Sequence, residues 1–139
     1  MTRCSMIKPY IIMLVFLFIA GCNGNMKDAI SNPKLSEYSF LEDMSNDEYF
    51  PSHLVAKGKN ILLDLCILIE KQNPESLSQV YSLTHAATEK FNQVALEFEE
   101  NNSEIETVAR EVIAQDIQYI LESYGFQADI EEAIAPRDW

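Results

Sequence analysis

The segment "SEIETVAREVIAQDIQYILESYG", residues 103–125, carries the clearest helical pattern in the chain. Its apolar residues recur every three or four positions and therefore share one face of an α-helix: Ile105, Val108, Ala109, Val112, Ile113, Ile117, Ile120, Leu121 and Tyr124. Ser103 and Glu106 have the spacing of a capping box, and Gly125 stands where a left-handed residue often ends a helix. The segment predicts an amphipathic helix that must pack against other helices.

Two earlier segments show the same kind of pattern. In the first, Pro51 suits an opening helical turn, apolar residues then fall on one broad face, and the helix is expected to end near Gln72. Asn73 and Pro74 are predicted to cap and open a second helix that runs to about Glu100. Its face repeats every seven residues: Leu77, Thr84, Phe91 and Phe98.

These segments predict an all-α fold, because no strand pattern competes with them. Residues 129–135 add one short helix before Pro136. Short connections between amphipathic helices favour antiparallel neighbours, so residues 47–139 are predicted to form a small antiparallel three-helix bundle with a short C-terminal helix. An alternative is that the stripe on the second helix is completed in a homodimer.

The first residues have the layout of a secretory signal. Arg3 and Lys8 precede nine uninterrupted apolar residues, 11–19, which are too few to span a bilayer. The following "IAGC", residues 19–22, resembles the lipobox of bacterial lipoproteins, which implies that residues 1–21 are removed and that Cys22 is lipidated. An ordinary signal peptide followed by a chance cysteine is the alternative.

Residues 22–46 are rich in Asn, Ser and Asp and lack a sustained apolar period. They are predicted to be mainly a flexible, lipidated tether with a reach of roughly 25–30 Å. Tyr38, Phe40 and Leu41 favour docking of its second half on the domain.

The chain is strongly acidic, with a formal net charge of −12. Loss of Arg3 and Lys8 with the signal leaves 8 basic and 22 acidic residues. Nucleic acid is therefore not expected as a partner, whereas a basic protein is.

One acidic residue, Asp116, interrupts the apolar stripe of the third helix and therefore needs a partner or a shifted pKa. The predicted partners are Thr84, His85 or Thr88 on the second helix, or Arg137 in the tail. The contact would fix the register of two helices, and a ligand-facing acid is the alternative.

His85 and Glu89 share one face of the second helix but supply too few ligands for a metal site, and no cofactor is implied. Cys66 lies among apolar residues and is expected in the core. The terminal Trp139 either seals one end of the bundle or presents a recognition motif.

Three blocks, "SLTHAATEKFN", "NNSEIETVAREVIAQDIQYILESYGF" and "APRDW", make residues 47–139 resemble a family of small bacterial proteins known only as a domain of unknown function. The resemblance implies that the helical domain is a recurring unit, and it implies no activity.

These observations favour a lipid-anchored interaction module of the bacterial cell envelope, facing the periplasm or exterior. One version is an immunity-like inhibitor that covers a basic toxin. The alternatives are a small enzyme or ligand-binding domain that uses His85, Glu89 and Asp116, and an envelope accessory that dimerises through the second helix.

Overall fold

The computed structural model describes residues 24–139. The predicted signal peptide and the lipidation of Cys22 therefore lie outside the described residues. Within the described range every regular element is a helix. The elements are a 3₁₀ helix at Met26–Ala29, α1 at Pro33–Ser36, α2 at Glu42–Ser45, α3 at Ser52–Gln72, α4 at Leu77–Glu100, α5 at Thr107–Ser123 and α6 at Ile130–Ala133. No helix in this range has the length and apolar character that crossing a membrane requires.

The helices α3, α4 and α5 form the predicted bundle, so the all-α fold is confirmed. The Lys57–Glu97 ion pair joins the start of α3 to the end of α4 and shows that these two helices are antiparallel. The face of α4 that carries its apolar residues packs against the rest of the chain. Its buried residues are Val80, Thr84, Ala87, Thr88, Phe91, Asn92, Val94, Ala95 and Phe98. Packing of the three stripes supplies the hydrophobic stabilisation that each helix alone would lack.

The turn between α3 and α4 differs from the predicted cap. Asn73 adopts a left-handed conformation with φ +47° and closes α3, since Asn tolerates that region better than most residues. Ser76 caps α4 instead, and its hydroxyl accepts a hydrogen bond from the Gln79 amide at 3.2 Å. The predicted start of this helix at Pro74 was therefore wrong by about one turn.

The start of α5 also differs from the prediction, whereas its end agrees. The capping box is not formed, because Ser103 is buried and its hydroxyl has no hydrogen-bond partner among residues 24–139. Helix α5 begins only at Thr107, so Val108 projects from the first turn and is 62 % exposed. At the other end Gly125 has φ +84°, the left-handed conformation expected after a helix.

The segment before α3 is packed against the bundle. Apolar side chains from this segment are almost fully buried: Ile30, Leu35, Phe40, Leu41 and Met44. They lie in or next to the short helices of this segment, which contact α3 and α5. The packed domain therefore begins well before the predicted boundary at residue 47, and residues 24–46 are not a free tether. Their short helices place apolar residues at irregular spacings, which hides the burial from a search for periodicity.

Candidate functional site

Asp116 lies at the centre of a buried polar contact with the N-terminal segment. The residue is 4 % exposed. Its Oδ1 accepts a hydrogen bond from the Tyr38 hydroxyl at 2.8 Å, and its Oδ2 accepts one from the Leu41 amide at 2.7 Å. The pKa of Asp116 is raised, chiefly by burial, although the two hydrogen bonds act to lower it. None of the predicted partners on α4 or in the tail makes this contact. Asp116 thus fixes the position of the segment that precedes α3.

The same contact depends on the absence of a side chain at Gly58. A Cβ atom there would lie 2.8 Å from Leu41 Cδ1 and 3.2 Å from Phe91 Cε1. Leu41 is itself buried with φ +51°, so it has little room to withdraw. Gly58 therefore allows the N-terminal segment to approach α3 closely.

Glu70 makes a second anchor for this segment near the end of α3. Its carboxylate accepts hydrogen bonds from the amides of Ser31 and Asn32, at 2.9 and 3.0 Å, and from the Tyr124 hydroxyl at 2.8 Å. The Asn32 side chain in turn donates to the carbonyl of Ser123 at 2.9 Å. Burial alone would raise the pKa of Glu70, but the hydrogen bonds hold it below its usual value. Glu70 does not stand out in the sequence, because its partners lie far away in the chain.

His85 and Tyr81 hold the short helix α6 at its two ends. His85 Nε2 donates to the carbonyl of Glu132 at 2.7 Å, which places the ring hydrogen on Nε2. The Tyr81 hydroxyl accepts the amide of Asp129 at 2.9 Å, and its ring stacks on His85 with centroids 6.2 Å apart. His85 therefore has a local structural partner.

Asn92 holds the tail beyond α6. This side chain is 6 % exposed; its Nδ2 donates to the carbonyl of Pro136 at 3.0 Å, and its Oδ1 accepts the amide of Asp138 at 3.1 Å. Its Nδ2 also contacts Glu89 at 3.3 Å. The Asn92 side chain therefore both donates to and accepts from the backbone of the tail, a role that the sequence pattern of α4 does not reveal.

The predicted site residues thus divide into two groups. His85 and Glu89 lie on α4 beside the C-terminal segment, where Arg137 pairs with Glu131 at 2.8 Å and the Trp139 ring meets Phe91 with centroids 6.2 Å apart. Asp116 instead bonds to the N-terminal segment. Because Asp116 shares no hydrogen-bond partner with His85 or Glu89 among the described residues, the three do not form the acid–base cluster that the enzyme hypothesis needs.

A different surface combines unpaired charge with exposed apolar side chains. We call it the acidic end, and it comprises the end of α4, the connection to α5 and the residues packed beside them. Four of its carboxylates form no ion pair within residues 24–139, whereas a fifth, Glu97, pairs with Lys57. The four are Glu99, Glu100, Glu104 and Glu106. Of the four large apolar side chains exposed within residues 24–139, three lie here: Tyr49 at 46 %, Leu96 at 54 % and Val108 at 62 %.

Two small depressions lie on this surface. One of about 220 Å³ contains Leu96 and Trp139 beside acidic residues; its acidic members are Glu99, Glu104 and Asp138. The other, of about 180 Å³, lies between Tyr49 and Val108. Both are smaller than typical ligand pockets of about 300–1,000 Å³ and suit single side chains of a partner protein.

A larger depression lies at the opposite end of the bundle. It has a volume of about 480 Å³ and is bordered by Glu70, Tyr124 and Phe126. Two of its polar groups, the Glu70 carboxylate and the Tyr124 hydroxyl, already bond to each other at 2.8 Å. They serve the packing of the N-terminal segment, which leaves little unmet polar capacity for a ligand.

Most of the chain matches the model of a recognised protein family. Residues 34–139 match the model of a family described as a family of unknown function, DUF5713. The chain belongs to the DUF5713 family. A search of curated proteins and a search of solved structures each gave no match.

The extent of the DUF5713 match agrees with the packing. The match begins within α1, at residue 34, and therefore starts earlier than the resemblance expected for residues 47–139. It includes Tyr38 and Leu41, which bond to Asp116. Within the described part of this DUF5713 domain, no three His, Cys, Asp or Glu side chains form a group that could hold a metal ion. Cys66 is fully buried, and burial raises the pKa of its thiol to about 12.

Proposed function

We propose that this DUF5713 protein is a lipid-anchored interaction module of the bacterial envelope that binds a basic protein partner. The observation that carries the proposal is the uncompensated negative charge. The whole chain has 22 acidic and 10 basic residues, and only two ion pairs join side chains within residues 24–139. A field of this kind attracts cationic partners and accelerates their association.

The proposed anchor is lipid on Cys22. The support is the sequence "IAGC" directly after an apolar run that is too short to span a bilayer. Two or more acyl chains would hold the protein stably, whereas one chain binds only marginally. Cys22→Ala is expected to move the protein out of the membrane fraction or to leave it unprocessed, and unchanged fractionation would refute the anchor.

An immunity-like inhibitor is the specific version that we favour. Such a protein needs a rigid surface complementary to a basic toxin and no catalytic group of its own. The acidic end places carboxylates around exposed apolar side chains, which matches the polar rim and apolar centre of protein interfaces.

The test is cross-linking in the native membrane, followed by identification of the captured neighbour. Pull-down from solubilised membranes at about 50 and 150 mM salt should recover a basic protein, and recovery should fall as salt rises because the attraction is screened. Absence of any specific neighbour at both salt concentrations would contradict the proposal.

A further inference from the structure

We propose that the depression beside Trp139 receives an arginine side chain of the basic partner and forms the centre of the interface. This inference rests on the function proposed above and assigns it to one place on the molecule. The pocket is the 220 Å³ depression between the end of α4, the α4–α5 connection and the tail.

The apolar part of the pocket is already built. Ala95, Leu96 and Ile105 line it together with the Trp139 ring. Leu96 is 54 % exposed, whereas most apolar residues of α4 are buried. A large apolar side chain exposed beside a depression loses water-accessible area only when a partner covers it, and aromatic residues are enriched at the centres of such contacts.

The charged part of the pocket is unneutralised. The carboxylates of Glu99, Glu104 and Asp138 line the depression, and none forms an ion pair with a basic residue of the described chain. An arriving basic chain would bring a cation for these carboxylates.

Arginine fits this combination better than the alternatives. Its planar guanidinium stacks on aromatic rings and donates to carboxylates in a fixed geometry, and its aliphatic stem covers apolar surface. The volume suits one long side chain and is too small for most drug-sized ligands. A second copy of this chain would bring the same net negative charge and be repelled.

Trp139 is the only tryptophan of the chain, so its fluorescence reports on the pocket without a label. The full chain, purified in non-ionic detergent, is titrated with a synthetic tryptophan-free amphipathic peptide of Leu and Arg while Trp139 emission is recorded. We expect a saturable spectral shift, and we expect none with the same peptide carrying Glu in place of Arg.

Variants locate the binding. Glu99→Gln combined with Glu104→Gln should weaken the peptide about tenfold or more, and Leu96→Ser should weaken it similarly. Leu77→Ser is the matched control, because Leu77 is 42 % exposed at the opposite end of the same helix. Circular dichroism checks that every variant is folded. If the control loses as much affinity as the Leu96 variant, or if the double variant binds like wild type, the pocket is not the docking site.

Two further outcomes separate this inference from the proposed function. If the neighbour captured in membranes is captured equally by the Glu99→Gln, Glu104→Gln variant, the pocket assignment fails and the interaction module stands. If no neighbour is captured while the peptide still binds with the expected variant pattern, the proposed function fails and the pocket remains a binding site for the cationic peptide. If the wild-type chain has the mass of a dimer in solution and the double variant has the mass of a monomer, the pocket serves self-association and the inference is overturned.

Discussion

Replacement of Asp116 by alanine should release the N-terminal segment from the bundle. The variant loses the hydrogen bonds from Tyr38 and Leu41, at 2.8 and 2.7 Å, and leaves the Leu41 amide buried without an acceptor. Each hydrogen bond to a charged group contributes about 1.5–3 kcal/mol, and relief of the buried charge offsets part of the loss. We expect the free energy of unfolding to fall by about 2–4 kcal/mol, out of a total of about 5–15 kcal/mol for a typical domain.

Two measurements test this expectation. The first is thermal unfolding: a domain of this size loses about 4 °C in Tm for each kcal/mol, so the expected loss of stability lowers Tm by about 8–16 °C. Compared with the wild type, amide hydrogen exchange should become faster in residues 24–46 and change less in α4, because the lost contact holds that segment specifically.

The matched control is Glu111→Ala, an exposed carboxylate on the same helix, which should change stability by less than about 0.5 kcal/mol. A Tm equal to wild type, or unchanged exchange in residues 24–46, would show that Asp116 does not fix the segment. Tyr38→Phe removes only one of the two bonds and should give an intermediate loss.

Three further predictions concern the other contacts. Hydrogen bonds hold the pKa of Glu70 below its ordinary 4.5, so the ionised carboxylate stabilises the fold above that pH and loses this effect as the pH falls through the folded-state pKa. Glu70→Gln should therefore make the decline of Tm between about pH 5 and 3 less steep than in the wild type. An unchanged slope would contradict the assignment. Gly58→Val should cost about 2 kcal/mol or more in chemical denaturation because its side chain overlaps neighbours, whereas Ala56→Val at an exposed site of α3 should cost well under 1 kcal/mol, and equal losses would disprove the close approach. Asn92→Ala should cost about 1–2 kcal/mol and red-shift the emission of Trp139 as the tail loosens, and an unshifted spectrum would show that other contacts hold the tail.

The three long helices were predictable because each repeats an apolar pattern long enough to establish a period. The stripe misleads only at its start, where Val108 matches the period and yet is exposed in the first turn of α5. Periodicity identifies the face of a helix, and it contains no information about where the neighbouring helices end.

The contacts of the N-terminal segment were not predictable in the same way. Asp116 was recognised as a charge that needs a partner, but its partners lie 75 and 78 positions away in a segment without regular spacing. Glu70 gave no signal, since a glutamate at the border of an apolar face is ordinary in a surface helix. Long-range hydrogen bonds to backbone amides leave no trace in residue type.

Docking of the N-terminal segment alters the geometry of the proposed anchor. A linker of residues 22–46 would have allowed the domain to rotate freely and to stand roughly 25–30 Å from the lipid. In the structure Asn25 already caps the first short helix, with its side chain accepting from the Lys27 amide. Only residues 23 and 24 separate it from Cys22, a distance of at most about 10 Å. A lipid on Cys22 would therefore hold the bundle close to the headgroups and restrict its tumbling, so that a partner meets a narrower range of orientations than a long tether would allow.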